Sequence, residues 1–485
     1  MAPWSASWRI TPLSIPSLIW EKEGFIMVNI FSGIKLGNYR EKQLDISVSA
    51  FEIFKRLYPY CKNIFLLESL GIEGKYNRYS YIGFNPLFTI SARNKELIVN
   101  GKIRKVENPY LFLSSFSSLL KSDPDHHGYS GGLVGYISYE ATRYFEPAFV
   151  GFEHSGFPDF EFGLFLDGLR FDKKTKKCVY FYRGVSKLSN IIAHINQKST
   201  LSLFSFKKIG VNKSREEHKE IVLNTLEHIK AGDIFQAVLS VKTYYQLLGD
   251  KRRIYAALRQ INPSPYMFYF KFGQKEIITA SPELLIKVEG KHIEHFGTLA
   301  GTIGRGVNED EDKELARVLG HDEKERAEHL MMVDLARNDL GKICEFESIR
   351  VDKLAAVRKY SHVQHLYTEV SGKLKETKDA FSALSACFPA GTLTGAPKIE
   401  AMKIITGLEG EARGPYGGVG GYFSLNGDSM LAITIRSIFV NGEQGYTQTG
   451  SGIVLDSSPE KEYQEILNKQ KAIEEALRLA APDSG

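Results

Sequence analysis

Two acidic runs are the residues of this chain whose types and spacing most readily do chemistry. In Asp322-Glu-Lys-Glu325-Arg-Ala-Glu328-His329, positions 325, 328 and 329 fall on one face of a helix. In Ser458-Pro-Glu-Lys-Glu462-Tyr-Gln-Glu465, Glu462 and Glu465 share a face, and Lys469 follows one turn later. Each run reads two ways. Charges beside an apolar stretch such as Leu330-Met-Met-Val commonly form a solvated helix face. Carboxylates from two helices can also hold one Mg²⁺, which takes a few carboxylate oxygens and completes its shell with water and substrate oxygens. No His/Cys cluster competes for a transition metal. The segment Tyr360-Ser-His362-Val-Gln-His365-Leu reads as a short strand. Alternation puts His362 and His365 on opposite faces, so at most one reaches a shared site.

Two glycine-rich stretches bear on phosphate chemistry. Gly391-Thr-Leu-Thr-Gly395-Ala-Pro-Lys398 lacks the Gly-Lys-Ser/Thr close of a Walker loop, and Gly417-Gly-Val-Gly-Gly421 runs into a strand rather than a helix. Pro397 at a first helical position would let the loop Gly391–Ala396 aim bare amides at an anion. A plain glycine-rich turn explains the loop equally well.

Several elements must position these groups. Short strands are predicted at Asn63–Glu68, Ser80–Phe84, Leu87–Ala92, Glu96–Val99, Gly132–Ser138 and Cys178–Tyr182, with helical periodicity at Ser47–Leu57 and Asn108–Leu120. The polar, basic stretch Asn196–Ser214 marks a boundary. Beyond it, Ser214 and Glu217 have capping-box spacing and Gly232 stops the helix they open. A strand at Ile234–Leu247 and an antiparallel meander from Tyr266 to Ala300 follow. Helices are expected at Glu309–Leu319, Glu323–Asn338, Asp379–Cys387, Ala396–Gly407 and Pro459–Leu479, with strands at Gly418–Leu425, Leu431–Val440 and Tyr446–Leu455. The order is not strict βαβ alternation, so the expected class is α+β: antiparallel sheets in a sandwich-like core with surrounding helices. Residues 1–26 carry all three tryptophans and no periodic face, and are expected to form a loosely ordered extension. The expected domains are 27–208 and 209–485, with the active site in a cleft of the second.

The chain has 485 residues, 43% of them apolar and 25% charged. That composition excludes a disordered chain, and no window is long and apolar enough for a membrane span. The net charge of +5 gives no argument for a nucleic-acid or anionic-lipid partner. Cys61, Cys178, Cys344 and Cys387 lie far apart with no CxxC pair, which excludes a disulfide scaffold and points to a reducing cytoplasm.

A collinear set of segments resembles the chorismate-utilising enzymes. It runs through Gly232-Asp-Ile-Phe-Gln236, Asn262-Pro-Ser-Pro265-Tyr-Met267, Ala280-Ser-Pro-Glu283, Ala300-Gly-Thr302, Asp322–Asn338, Tyr360–Leu366, Gly391–Lys398, Gly414-Pro-Tyr416, Ile435-Arg436-Ser and Gly450-Ser-Gly452 through Glu465. The resemblance is strongest to the anthranilate-forming branch, including Leu66-Leu-Glu68-Ser69, which is similar to that branch's tryptophan feedback motif. Members that add water carry a lysine base where Gln236 stands. Members that make 4-amino-4-deoxychorismate carry a lysine nucleophile where Ala300 stands. With neither lysine present, the resemblance implies ammonia as the nucleophile, delivered from glutamine by a separate amidotransferase subunit (component II), since no glutaminase-like segment occurs here.

The resemblance also implies roles. Glu328 and Glu465 ligate Mg²⁺, with Glu462 nearby, and the metal holds the ring carboxylate of chorismate. Glu325 is the general acid for the departing C4 hydroxyl; His365 assists pyruvate elimination, with Thr392 close to the ring. Gly301, Thr302, Tyr416, Arg436, Gly450, Ser451 and Gly452 bind chorismate. Ser69, Pro265, Tyr266 and Met267 line a site for L-tryptophan as feedback inhibitor, which makes 27–208 a regulatory domain. Leu299 and Ile303 depart from the branch's usual flanks of Ala-Gly-Thr. The rivals are 4-amino-4-deoxychorismate synthase, against which Ala300 and the Leu-Glu-Ser motif argue, and a non-catalytic paralogue, which should have lost one of Glu325, Glu328, Glu465, Arg436 or His365.

Overall fold

A computed structural model of the chain describes residues 31, 34, 36–70, 78–120, 128–153, 156–296, 298, 300–359 and 363–481. The expected extension 1–26 and His362 lie outside the described residues. The fold is α+β. Among the described residues, two twelve-stranded antiparallel sheets face one another. The first runs from the edge strand Tyr39–Leu44 through Lys177–Arg183, Asp167–Asp172, Tyr79–Phe84 and Asn63–Glu68. It continues through Tyr266–Phe272, Lys275–Ser281, Ser437–Asn441 and Gln444–Ile453 to Gln236–Gly249 and the edge Phe204–Val211. The second runs from Ala300–Gly304 through Val363–Lys373, His292–His295, Leu284–Glu289, Ser429–Ile433 and Val419–Ser424. It then crosses Gly132–Ile137, Phe160–Phe165, Phe88–Arg93 and Glu96–Val99 to Lys102–Lys105.

Both sheets cross the boundary expected near residue 208. Asn63–Glu68 pairs with Tyr266–Phe272 in the first, and Gly132–Ile137 pairs with Val419–Ser424 in the second. The two segments therefore divide the sequence without dividing the core. A polar linker can mark a change in local composition, but it carries no signal for which distant strands pair.

The largest apolar cluster lies between the sheets and is rich in aromatics, among them Phe65, Phe162, Phe268, Phe270 and Phe423. Burying one such ring contributes about 1.5–3 kcal/mol. A second cluster covers the outer face of the first sheet under the helices Ala50–Leu57, Arg252–Ile261 and Pro459–Ala480. That sheet is therefore buried on both faces, which is why Asn63-Ile-Phe-Leu-Leu reads as an apolar run without alternation. The capping box forms as expected: Ser214 and Glu217 exchange hydrogen bonds at the start of the helix Arg215–Ala231, and Gly232 ends it in the left-handed region at φ 84°. The helical stretch expected at Asn108–Leu120 is instead a short helix, Pro109–Ser114, followed by a 3₁₀ segment, Ser115–Leu119.

Candidate active site

A cavity of about 420 Å³ opens among elements beyond residue 235. Its walls are the paired strands Gln236–Gly249 and Gln444–Ile453, the helices Glu323–Gly341 and Pro459–Ala480, and turns carrying Glu283, Thr392, Tyr416 and Arg436. Both acidic runs meet here: Glu325, Glu328, Glu462 and Glu465 all line the cavity.

The first carboxylates are placed by the start of their helix. Asp322 caps it, its side chain accepting from the Glu325 amide at 2.9 Å, which puts Glu325 in the first turn and Glu328 one turn on. Gly301 lies against them in the left-handed region at φ 70°. A Cβ there would stand 2.9 Å from the Glu325 carboxylate oxygen Oε2, so only glycine lets the carboxylate rest on this backbone. The Gly301 carbonyl accepts a hydrogen bond from His365 Nδ1 at 3.1 Å, and Thr302 stands opposite His365 in the ladder. Burial pushes His365 down to about 4, helped by the nearby charges of Arg436 and Lys469 and opposed by the Gly301 bond. The imidazole is thus neutral, with its one proton on Nδ1 and a lone pair at Nε2.

Across the cavity, Glu465 pairs with Lys469 at 2.6 Å, and Lys469 Nζ donates to the Gly450 carbonyl at 2.9 Å. The Glu462 carboxyl is pushed upward, chiefly by burial and then by the charge of Glu465, with the Ser457 hydroxyl opposing. A cation between these carboxylates would relieve that crowding. Among the described residues, however, no three acidic or imidazole side chains converge as a preformed cage. The donor set fits a hard cation held by few carboxylates and completed by substrate and water, as Mg²⁺ prefers.

The opposite wall is suited to anions. Arg436 has φ 53°, rare for a residue with a side chain, and its carbonyl accepts from the Ala280 amide at 3.2 Å. Tyr416 is buried, and burial holds its phenol protonated. Its hydroxyl lies 2.9 Å from where a Cβ on Gly450 would stand, so the glycine keeps backbone and phenol in close approach. Gly450 and Gly452 line the cavity. Ser451 between them is fully buried, and its side chain does not line the cavity. Gln236 lines the wall beside Gly452.

Two further residues belong to the site and were absent from the expected set. Glu283 is 4% exposed and accepts a hydrogen bond from the Thr392 hydroxyl at 3.0 Å. Its signal was a carboxylate isolated among apolar strands in Ala280-Ser-Pro-Glu283. Lys469 was visible as the residue four positions after Glu465 on a helix.

The expected inhibitor residues come together elsewhere. Ser69 follows the strand Asn63–Glu68, whose ladder pairs Glu68 with Met267, and the Leu70 amide donates to the Ser264 carbonyl at 2.9 Å. Ser69 therefore sits beside Pro265, Tyr266 and Met267. The neighbouring Glu68 is bonded to Arg259 at 2.9 Å and Tyr255 at 3.1 Å.

No helix among the described residues is long and apolar enough to cross a membrane. A sequence profile described as chorismate binding enzyme matches residues 65–475. The chain is 44% identical over 457 residues to anthranilate synthase component 1 of Methanothermobacter marburgensis, covering 93% of this chain and 98% of that one. It is 39% identical over 437 residues to the component 1 of Saccharolobus solfataricus, covering 88% and 97%. The solved anthranilate synthase component I of Streptococcus pneumoniae superposes with a TM-score of 0.73 at 34% identity, covering 83% of this chain and 94% of that one. The menaquinone-specific isochorismate synthase of Escherichia coli, 18% identical with a TM-score of 0.72, covers 92% and 96% and shares the fold.

Proposed function

The chain belongs to the chorismate binding enzymes, and within that family we propose that it acts as the catalytic component of anthranilate synthase, converting chorismate and ammonia to anthranilate and pyruvate. The observation that carries the reading is the single cavity in which carboxylates from two helices face Arg436, Tyr416 and the neutral His365. Gln236 in the wall supports ammonia over water as nucleophile, since an amide cannot deprotonate water whereas ammonia needs no base to attack.

Each group has a role that its chemistry suits. Arg436 offers a planar fork to a substrate carboxylate, and the Tyr416 hydroxyl and the Gly450–Gly452 backbone complete that end. Glu328 and Glu465, with Glu462, would hold Mg²⁺, which when bound anchors the ring carboxylate as a Lewis acid. Glu325 protonates the C4 hydroxyl so that it departs as water while ammonia adds at C2. His365 Nε2 then takes the C2 proton as the C3–O bond breaks, and the enolpyruvate that leaves takes a proton at its methylene carbon to become pyruvate. We assign ammonia supply to a separate glutamine amidotransferase subunit, feedback inhibition by L-tryptophan to the Ser69/Pro265–Met267 site, and the cytoplasm as location.

A second proton donor competes within the same reading: Glu283 is the more buried carboxyl and is bonded to Thr392. The test is anthranilate fluorescence from chorismate, ammonium and Mg²⁺. Glu325→Gln is expected to lower kcat by about 10²–10⁴-fold. An inactive Glu283→Gln beside a Glu325→Gln variant above half of wild-type kcat would move the donor role to Glu283. A wild-type chain that forms no anthranilate would overturn the proposed activity.

A further inference from the structure

Arg413 does not line the cavity, yet its hydrogen bonds end on the residues that do. Its side chain is 2% exposed and pairs with Glu409, 3% exposed, through Nε to Oε2 at 2.8 Å and Nη2 to Oε1 at 2.7 Å. Two more donors go to backbone carbonyls: Nη1 to Leu393 at 2.6 Å and Nη2 to Val238 at 2.7 Å. Leu393 and Val238 both line the cavity, and Leu393 follows Thr392. Glu409 Oε1 also accepts from the Ser240 amide at 2.8 Å and hydroxyl at 2.6 Å. With its proton committed to that carboxylate, the Ser240 oxygen can only accept, and it takes Nε2 of the cavity-lining Gln448 at 2.8 Å.

The pair is itself held from the other half of the sequence. The two oxygens of buried Glu140 accept the Arg413 and Gly414 amides at 2.7 and 2.9 Å, two residues before Tyr416. The guanidinium lies over the Tyr139 ring at 4.6 Å. One buried cation thus ties together the Gln236–Gly249 strand, the Thr392 turn, the Tyr416 turn and, through Ser240, the Gln444–Ile453 strand.

We propose that the Arg413–Glu409 pair, seated on Glu140, is a positioning element that sets the separation of Tyr416, Thr392 and Gln448 across the chorismate cavity. The proposal rests on the reading of the cavity as a chorismate site. A charged pair removed from water is a costly way to fill a core, and apolar residues of similar volume commonly serve as well. A planar fork that must satisfy two carbonyls on different wall segments is something only arginine supplies. The metal-side carboxylates ride on the helices Glu323–Gly341 and Pro459–Ala480, which make none of these hydrogen bonds, so the two sides of the site should respond separately.

The test uses Arg413→Lys and the milder Glu140→Gln. Burial lifts the Glu140 carboxyl to about 7, so its neutral form is already populated near neutrality, and glutamine keeps one of the two acceptors. In Arg413→Lys, kcat/KM for chorismate should fall at least tenfold while the half-activating Mg²⁺ stays within twofold of wild type. Glu140→Gln should show the same pattern with a fall of about threefold, the size expected for one weakened hydrogen bond. Amide exchange at 391–394 and 413–417 in the chorismate-free chain should be faster in Glu140→Gln than in wild type. Unchanged chorismate parameters in both variants would overturn the proposal. So would chorismate and Mg²⁺ dependence worsening in parallel, the signature of general damage. If Arg413→Lys does not fold, Glu140→Gln and the exchange rates decide. Failure of the wild type to make anthranilate would remove the functional reading while the exchange rates still judged the positioning claim.

Discussion

Replacing Gly301 by alanine is the smallest change that should disable the proposed chemistry without touching a reactive group. Two effects follow from the geometry. At φ 70° a Cβ is strained, costing about 1–2 kcal/mol in the left-handed region. The new methyl would also stand 2.9 Å from Glu325 Oε2 and 3.2 Å from Leu366 Cδ1. Leu366 is fully buried and the Gly301 carbonyl is tied to His365, so the carboxylate is the atom that gives way. Displacement of a reacting group by about 1 Å can cost on the order of 10²-fold in rate. The expected result is a kcat about 10–100-fold below wild type, with a small fall in melting temperature. The assay is anthranilate fluorescence at saturating chorismate, ammonium and Mg²⁺, paired with thermal unfolding. Because the damage acts through Glu325, the double variant with Glu325→Gln should be hardly worse than Glu325→Gln alone, as residues acting as one unit are non-additive. A Gly301→Ala enzyme with more than half of wild-type kcat, or a double variant showing fully multiplied losses, would refute the link.

Glu465→Ala should raise the Mg²⁺ needed for half activity, with partial rescue by excess Mg²⁺; superimposable titrations would remove Glu465 from the ligand set. Ser69→Ala should raise the tryptophan concentration for half inhibition by about 2–10-fold, the equivalent of roughly 0.5–1.5 kcal/mol, while kcat is spared. An unchanged half-inhibition value in a tryptophan-sensitive wild type would discard the contact. His218 is fully buried, neither ring nitrogen has a hydrogen-bond partner among the described residues, and burial pushes it down to about 4. Its folded pKa is depressed, so the unfolded chain binds the proton first: stability is full above about 6.5 and is lost as pH falls toward about 4. His218→Phe should therefore flatten the decline between pH 7 and pH 5 by up to about 2 kcal/mol, read from urea midpoints; parallel pH curves for variant and wild type would discard the assignment.

The sequence was most readable where local chemistry decides the structure. Ser214, Glu217 and Gly232 bound their helix because caps act within one turn, and the acidic helices Glu323–Gly341 and Pro459–Ala480 form where spacing predicts. Reading failed where distant partners decide. The strand Phe204–Val211, an edge with one hydrogen-bonded neighbour, lies inside the polar, basic stretch Asn196–Ser214 that reads as a boundary. The helix Arg252–Ile261 went unread, although Asp250 accepts the Arg252 amide at 3.1 Å at its start and Ile254, Tyr255 and Leu258 are buried along it. That four carboxylates from two helices more than 130 residues apart line one cavity follows from no local spacing; the family's motif order implied it.

The left-handed backbone of Arg436 has a consequence for anyone who breeds this chain for heat resistance. Glycine and asparagine occupy that conformation with less strain, so either one at position 436 would relieve the backbone while removing the fork proposed for the substrate carboxylate. A selection scored on folding alone reads that backbone relief and is blind to the loss of the proposed substrate contact. Position 436 is therefore one to freeze in a library.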